Sequence, residues 1–501
     1  MDSRTAVPDQ RSFPTHLSFA RRAARRCGVL LAASVFSAPL AAESLTYSDM
    51  LRRVVDLDAS LDVARFQLER AREEIAKVEA QLAWTLGAQG GAGRDLSTFG
   101  LLTDRRDVTV NADKRMSFGT QFGVGAGYQR DDSATTISPL LPNPSEITRA
   151  DISLRQPLAR GFGNPDYQEG RVIAEADAAA AGAEQTATFD QVARRTAEVF
   201  YSAAFTFARL RNADAAIARA ERLNNYVRSN QRLGIAEEKD RLQAEAQLMA
   251  ARADRDALVV AWTQQRTTLN RLMVRAWDAP IEPVLAPLAA RDIPEPDALQ
   301  TQAAKHSPDL ARLQARVRRA ESVIERSRDA ARDQLDAVLS VGNRNVTGDT
   351  GTFGSVDTSE RVGSLRLEYR GVMGQSAADV ELNQVMLDRS IALRQLESAR
   401  LDLEYSVSGL RAQVDVAQAA YEQALARVKA ERAKVEEATI RYRTGRSDTQ
   451  QLIQFENDAR LAELLADQQA IELARRIVEL ETVRGQYWTE LGPRVTARER
   501  P

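Results

Sequence analysis

The sequence predicts a mainly α chain with a β membrane part, built from duplicated helix–strand–strand–helix–helix units. Three observations carry this. Long helical stretches recur in the same order, one ending at Gly234 and its counterpart at Gly445. Each half is interrupted by a segment whose apolar residues alternate with glycine or polar residues, the period of a strand rather than a helix. The N-terminus has the layout of an export signal, and no later stretch approaches the roughly 20 apolar residues of a membrane-spanning helix.

The repeat is legible residue by residue. Counted from the two glycines, Arg232 falls on Arg443, Leu242 on Ile453, Ala251 on Ala462, Leu269 on Leu480 and Leu272 on Val483. Ahead of each half, Ser60 and Leu61 pair with Asp309 and Leu310, Ala71 with Ala320, and Ile75 with Ile324. A recurrence at this scale describes structural units stacked or closed together, so it takes precedence over local reading.

Residues 1–42 read as a signal peptide. Arg21, Arg22, Arg25 and Arg26 precede an apolar run over 28–36 and then Ser37, Ala38, Ala41 and Ala42, so the mature chain is expected to begin near Glu43. Cys27 is the one cysteine of the 501 residues, which leaves the mature chain without a disulfide.

The first repeat is expected over 43–276. A helix over 47–83 places Leu61, Ala64, Leu68, Ala71, Ile75, Val78 and Leu82 at helical spacing. Strands follow within 84–158, where Phe122, Val124, Ala126 and Tyr128 alternate with glycines. Pro139, Pro142 and Pro144 mark a loop over 133–146. This segment is longer than its counterpart in the second half and has room for an extra hairpin over 108–128. A helix from Pro165 to the break at Gly234 would be near 100 Å long, and a further helix runs to about Val274. Pro280, Pro283, Pro287, Pro294 and Pro296 mark a linker over 277–296.

The second repeat, 297–487, repeats the order. A helix over 296–333 leads to strands at 337–341 and 365–369, separated by a loop over 343–360. Helix returns over 376–444, breaks at Gly445 and continues to Tyr487, leaving a short tail over 488–501.

Composition narrows the function. A formal charge of -2 without a basic block argues against nucleic acid, and 28% charged with 6% aromatic residues suits long solvated helices. Past the signal, His306 is the only histidine, and it sits before Ser307 and Pro308 in what reads as an exposed helix-start loop. That leaves no nucleophile–base pair and no metal-ligand set, so no enzyme, cofactor or metal is expected. Arg160 to Gly163 lacks the βα context or lysine of a phosphate loop and reads as a strand-to-helix turn.

The alternating segments fit either a sheet capping a helical bundle or membrane-barrel strands. Export without a transmembrane helix favours the barrel, the other structure that satisfies every backbone hydrogen bond in lipid. About four to six strands per chain are too few to close one, since the smallest single-chain barrels need about eight. The barrel would therefore be shared by an oligomer. The alternative is a structural coiled-coil protein of the periplasm without channel activity.

These residues resemble the TolC-like outer-membrane efflux proteins, the outer membrane factors. The resemblance rests on Asp309 and Leu310 in the helix that opens the second half, on Leu154, Arg155, Gln156, Pro157 and Leu158, and on the Arg-x-Gly hinges at Gly234 and Gly445. The most recognisable stretch is Arg441 to Gly445 with Leu452 and the helix that follows. It covers essentially the whole mature chain, and the repeated order at matching lengths carries it rather than any single motif.

The resemblance implies a homotrimer that shares one transmembrane β-barrel in outer-membrane lipid and one long α-helical periplasmic barrel. It implies a passive exit duct of a tripartite efflux or type I secretion system, without catalysis or cofactor. Its partners would be a periplasmic adaptor protein and an inner-membrane pump. The family's linking aspartate falls on Asp240 and its tyrosine partner on Tyr442, beside the hinges Gly234 and Gly445. Two family positions that hold aspartate rings are Gln451 and Gln454 here, a departure that removes those charges. Asp448 and Glu456 are the nearby residues able to carry charge in their place.

Overall fold

The computed structural model describes residues 43–96, 102–134, 141–234, 237–284, 294–351, 354–444, 446 and 449–497. The expected signal peptide over 1–42, the hinge Gly445 and the aperture candidate Asp448 lie outside them. The chain divides after Glu43, and the architecture is that of the unit beginning at Ser44.

A short strand, β1 (Glu43–Leu45), leads into α1 (Tyr47–Leu57) and α2 (Ala59–Ala80). The single helix expected over 47–83 is thus two. Asp58 adopts an extended conformation and its carboxylate accepts from the Ser60 N–H at 2.8 Å, which ends one helix and caps the next. Four strands follow: β2 (Thr85–Leu96), β3 (Leu102–Arg115), β4 (Gln121–Ser133) and β5 (Ser145–Pro157). Then come α3 (Pro165–Arg232), 68 residues long, and α4 (Glu238–Leu272). Pro165 suits the first turn of α3, where its missing N–H has no intrahelical partner to lose.

The second repeat begins after β6 (Ile281–Pro283) with α5 (Pro296–His306) and α6 (Pro308–Ala330). Here too one expected helix is two. Ser307 Oγ accepts from the Leu310 N–H at 3.3 Å, and Pro308 cannot donate to a continuing helix. The offset that sets Ser60 opposite Asp309 sets Asp58 opposite Ser307, so the duplication extends to the helix breaks. β7 (Gln334–Thr350) and β8 (Gly354–Arg370) follow, then α7 (Ala377–Arg443), α8 (Thr449–Val483) and α9 (Gln486–Thr496). α4 and α8, equivalent in the repeat, are each 35 residues long.

The long strands form one antiparallel sheet of six in the order β2-β3-β4-β5-β7-β8. The loop expected over 343–360 is mostly strand. β7 and β8 pair from Gln334↔Arg370 to Thr350↔Gly354, and their polar ends bond each other, as in Asn343 Nδ2 to Ser359 Oγ at 3.2 Å. Residues polar on both faces hide the two-residue period there, although the backbone ladder continues. The extra hairpin of the first half is β3 and β4. Its turn rests on the start of α3, where the buried Asn164 donates through Nδ2 to the Met116 carbonyl at 3.1 Å.

One face of this sheet is apolar and bare. Val110, Val124, Ile152, Val341, Leu365 and Leu367 lie on it with 41% to 74% of their surface exposed. The register puts polar side chains on the opposite face, among them Asp107, Asn111, Asp151 and Arg155. No helix among the described residues is long and apolar enough to cross a membrane.

The helices repeat the strand order. α2, α3, α6 and α7 pack in a row that continues directly from β2, β5, β7 and β8. Farther from the sheet the row becomes α4, α3, α8 and α7. The main core lies between the two, where Met50, Val54 and Val55 of α1 meet Phe189 and Phe200 of α3 and Tyr487, Leu491 and Val495 of α9. The tail expected over 488–501 therefore begins as part of a packed helix, its apolar residues spaced by four. The linker over 277–296 also starts as structure. β6 pairs with β1, Ile281 joins the core, and Asn270 Nδ2 donates to the Trp277 and Ala279 carbonyls at 3.2 and 3.0 Å.

His306 corrects the expectation of an exposed loop histidine. It ends α5, is half-buried and packs on Gly485, whose φ is +70°. A Cβ at Gly485 would lie 2.6 Å from His306 Cγ. Gly485→Ala should lower stability by about 1–3 kcal/mol through left-handed strain, with the steric clash added. His306→Ala in the same chain should recover only the clash. Apparent melting temperatures of the extracted protein decide this, and full recovery would remove strain from the account.

Asp190 of α3 is 8% exposed, and burial pushes its carboxyl up to about 7 against a weaker pull from Arg194. A folded value above the unfolded one means the native state holds the proton more tightly. That contribution is full below about pH 4 and is lost as pH rises to about 7, leaving a buried charge above it. Asp190→Asn should therefore stabilise by up to the order of 4 kcal/mol near pH 8 and by little near pH 4. Equal shifts in melting temperature at both pH values would contradict this.

Candidate functional site

The hinge region lies where α3 gives way to α4 and α7 to α8. Gly234 follows α3 with φ +73°, a backbone conformation that glycine adopts without a Cβ clash, and its N–H donates to the Gln231 carbonyl at 2.9 Å. Polar side chains knit the turn that follows. Gln231 donates to Glu238, Arg241 Nη1 reaches Glu245 at 2.6 Å, and Arg228 lies 3.5 Å from Glu245. The Arg241 guanidinium beside Glu238 holds that carboxyl below its ordinary range.

Beneath them is a small apolar cluster of Leu223, Val227, Ala244, Ala438, Leu452 and Ile453, drawn from all four hinge helices. Tyr442 packs on its edge, its ring 5.5 Å from that of Tyr226, and its hydroxyl shares a hydrogen bond with Thr449 Oγ1 at 3.0 Å. Burial raises the pKa of the Tyr442 hydroxyl, with Thr449 opposing and Tyr226 and Asp240 adding smaller upward pushes.

Asp240 and Tyr442 thus come near one another, and each is bonded elsewhere. Asp240 Oδ2 accepts from the Glu237 N–H at 3.2 Å, one half of a capping box that starts α4. Gln451 and Gln454 both lie exposed, on the side of α8 away from buried Leu452 and Ile453. Glu456 is half-buried, and burial raises its carboxyl pKa against the pull of Arg219 and Arg222 on α3. It therefore sits among arginines of its own protomer, unlike a bare pore charge.

Sequence reading missed Thr449, Tyr226 and the Glu238–Arg241–Glu245 ladder. The ladder was legible as charges three and four apart at a helix start. The pairing of Tyr442 with Thr449 spans a helix break, so no local period announces it.

Among the described residues no group of histidine, cysteine, aspartate or glutamate side chains is arranged to hold a metal. The polar recesses lie along the strand-to-helix junction, where Arg115, Arg155 and Arg160 line one of about 380 Å³.

No protein-family model matches the chain, and no curated protein matches it in sequence. Solved structures do match. The outer membrane protein VceC of Vibrio cholerae superposes with a TM-score of 0.62 at 14% identity, covering 88% of this chain and 96% of that one. The CmeC outer membrane channel of Campylobacter jejuni gives 0.62 at 12%, covering 90% and 89%. The MtrE outer membrane channel of Neisseria gonorrhoeae, in its open state, gives 0.55 at 18%, covering 88% of each. The likeness spans both repeats, the sheet and the helix rows: this chain has the fold of an outer-membrane channel subunit.

Proposed function

We propose that the chain is one subunit of an outer-membrane channel, the passive exit duct of a tripartite efflux or type I secretion system. The observation that carries the reading is the pair of open edges. β2 and β8 bound the sheet, and the helices continuous with them, α2 and α7, bound the helix row. A strand edge in lipid has no water to bond, so an apolar-faced sheet with two free edges is complete only in a closed ring.

Three copies, the number the family resemblance implies, would close a barrel of about eighteen strands, within the known range of about 8 to 26. The polar face would line its lumen and the helix rows would form a tunnel through the periplasm. The reading places the protein in the outer membrane, with a periplasmic adaptor and an inner-membrane pump at the tunnel's far end. A periplasmic coiled coil would leave the bare apolar face of the sheet without a purpose. No step of a conduit calls for catalysis.

Mass measurement of the detergent-extracted protein should give a trimer that conducts in a planar bilayer. A stable monomer that still carries current would sink the shared barrel.

The hinge region would close the periplasmic end, with Gly234 and Gly445 as the breaks that bring the paired helices together. Its polar ties would set the balance between closed and open states, and Gln451 and Gln454 would make the aperture less acidic than aspartate rings do. Tyr442→Phe removes the bond to Thr449, worth about 0.5–1.5 kcal/mol in each subunit. It should raise single-channel conductance or open probability while the trimer survives. Asp240→Ala should act more weakly, because its printed bond is to its own helix. Unchanged conductance in an assembled Tyr442→Phe channel would remove the tyrosine from the gate.

A further inference from the structure

Across the base of the sheet, one line of paired residues runs Arg115↔Gln121, Gln121↔Arg155, Arg155↔Val338 and Val338↔Arg366. Directly paired residues of antiparallel strands point to the same face, and this is the polar one, since their neighbours Phe122, Leu154, Leu339, Leu365 and Leu367 take the other. All five side chains of the line border a single recess of about 500 Å³. Three are arginines and none is acidic.

The three cations are not equally compensated. Arg155 Nε donates to Asp336 at 3.0 Å, and its guanidinium lies 3.6 Å from Glu368. Asp113, one rung higher, accepts from Asn111 Nδ2 at 2.6 Å. Arg115 and Arg366 have no ion pair among the described residues. Two guanidinium groups are therefore held at the wall without an acid of their own.

Their spacing is regular. β3, β5 and β8 carry the arginines, with β4 and β7 between them contributing Gln121 and Val338. At about 4.8 Å per strand, neighbouring arginines stand about 10 Å apart. Going from β8 of one copy across β2 of the next to its β3 is again a step of two strands. The alternation therefore continues unbroken around a ring of copies, and the hairpin β3–β4 is what preserves it.

We propose that this line is an anion-binding collar at the periplasmic base of the barrel lumen, taking exported molecules that carry several carboxylate or phosphate groups. The proposal rests on the channel reading above, because only a closed ring makes the polar face a lumen. A recess that offers fixed, uncompensated guanidiniums at a regular interval concentrates anions and releases them as they pass to the next site. Arginine suits the task, since its planar fork grips carboxylate and phosphate with paired hydrogen bonds.

The test is binding of inositol hexakisphosphate to the detergent-extracted oligomer by calorimetry, with reversal potentials in a planar bilayer under a salt gradient. Arg115→Gln with Arg366→Gln should weaken binding at least tenfold and shift the reversal potential toward cation preference. Arg94→Gln, on the apolar side of the sheet and paired with Asp104, should do neither. Arg115→Lys with Arg366→Lys keeps the charge and should keep most of the binding, which separates loss of charge from loss of assembly. Equal binding by the wild type and the double glutamine variant, or none by an assembled wild type, overturns the collar. A protein that binds through these arginines yet carries no current would instead overturn the channel reading and leave the anion site standing.

Discussion

The constraint on which the rest of the structure depends is the pairing of backbone groups where water is absent. Inside lipid an unpaired N–H or C=O costs several kcal/mol, and a strand edge presents a whole row of them. The chain meets that demand along every internal seam of its six-stranded sheet and leaves it open at β2 and β8. Everything else is arranged around those two edges. The helices that continue from them, α2 and α7, are also the ends of the helix row, so strand closure and helix closure happen at the same seam. α7 shows what such a seam looks like before it is covered. Leu387, Ile391, Leu401, Tyr405 and Val416 are exposed along it, too regularly for a helix that meets only water.

The number of strands is a matter of width. Helices packed side by side stand about 8–10 Å apart, so the four of the row span roughly 36 Å. Strands stand about 4.8 Å apart and tilt by about 35–45° in a barrel, so each takes up roughly 6 Å of circumference and six take up about the same 36 Å. A sheet without β3 and β4 would span about two thirds of that and force a taper between helices and strands. The hairpin fits the geometry locally as well. It adds two strands with no helix beneath them, and its turn sits on Asn164, where a Cβ at Gly119 would come within 2.7 Å of the Gly161 carbonyl. The lumen side makes room too. Glycines of β4 lie under polar side chains of flanking strands, so that a Cβ at Gly127 would be 2.7 Å from Arg149 Nε. Side chains laid flat over glycine keep a polar wall from filling its own channel.

Much of this was legible in the sequence, and what was not has physical reasons. The duplication was, because long helices preserve register: α4 and α8 match residue for residue in length. The apolar bands of the strands were legible as far as lipid would contact them. Beyond the band, in the outer part of β7 and β8, water contacts both faces and the alternation disappears while the hydrogen bonds persist. The breaks at Asp58 and Ser307 were obscured because a good cap restarts a helix within one residue and leaves the apolar period nearly intact. At the hinge, position in the repeat located Asp240 and Tyr442 but not their partners. A capping carboxylate and a hydroxyl bond across a helix break depend on three-dimensional approach, which periodicity does not encode.

The two ends of the molecule answer different physical demands. The sheet end is committed: strand edges in lipid have no alternative partner, and the pairing, once made, is held by every backbone bond along the seam. The hinge end is balanced. Its apolar cluster is small, and its polar ties, Gln231 to Glu238, Arg241 to Glu245 and Tyr442 to Thr449, are made by groups that are exposed or only half-buried. Water competes for most of these groups, so each tie is worth a kcal/mol or so at most, and losing one leaves no deeply buried orphan. A duct that must stay sealed to the cell exterior and still open on demand needs that asymmetry: permanence where the chain meets lipid, and bonds that water can replace where it meets the periplasm.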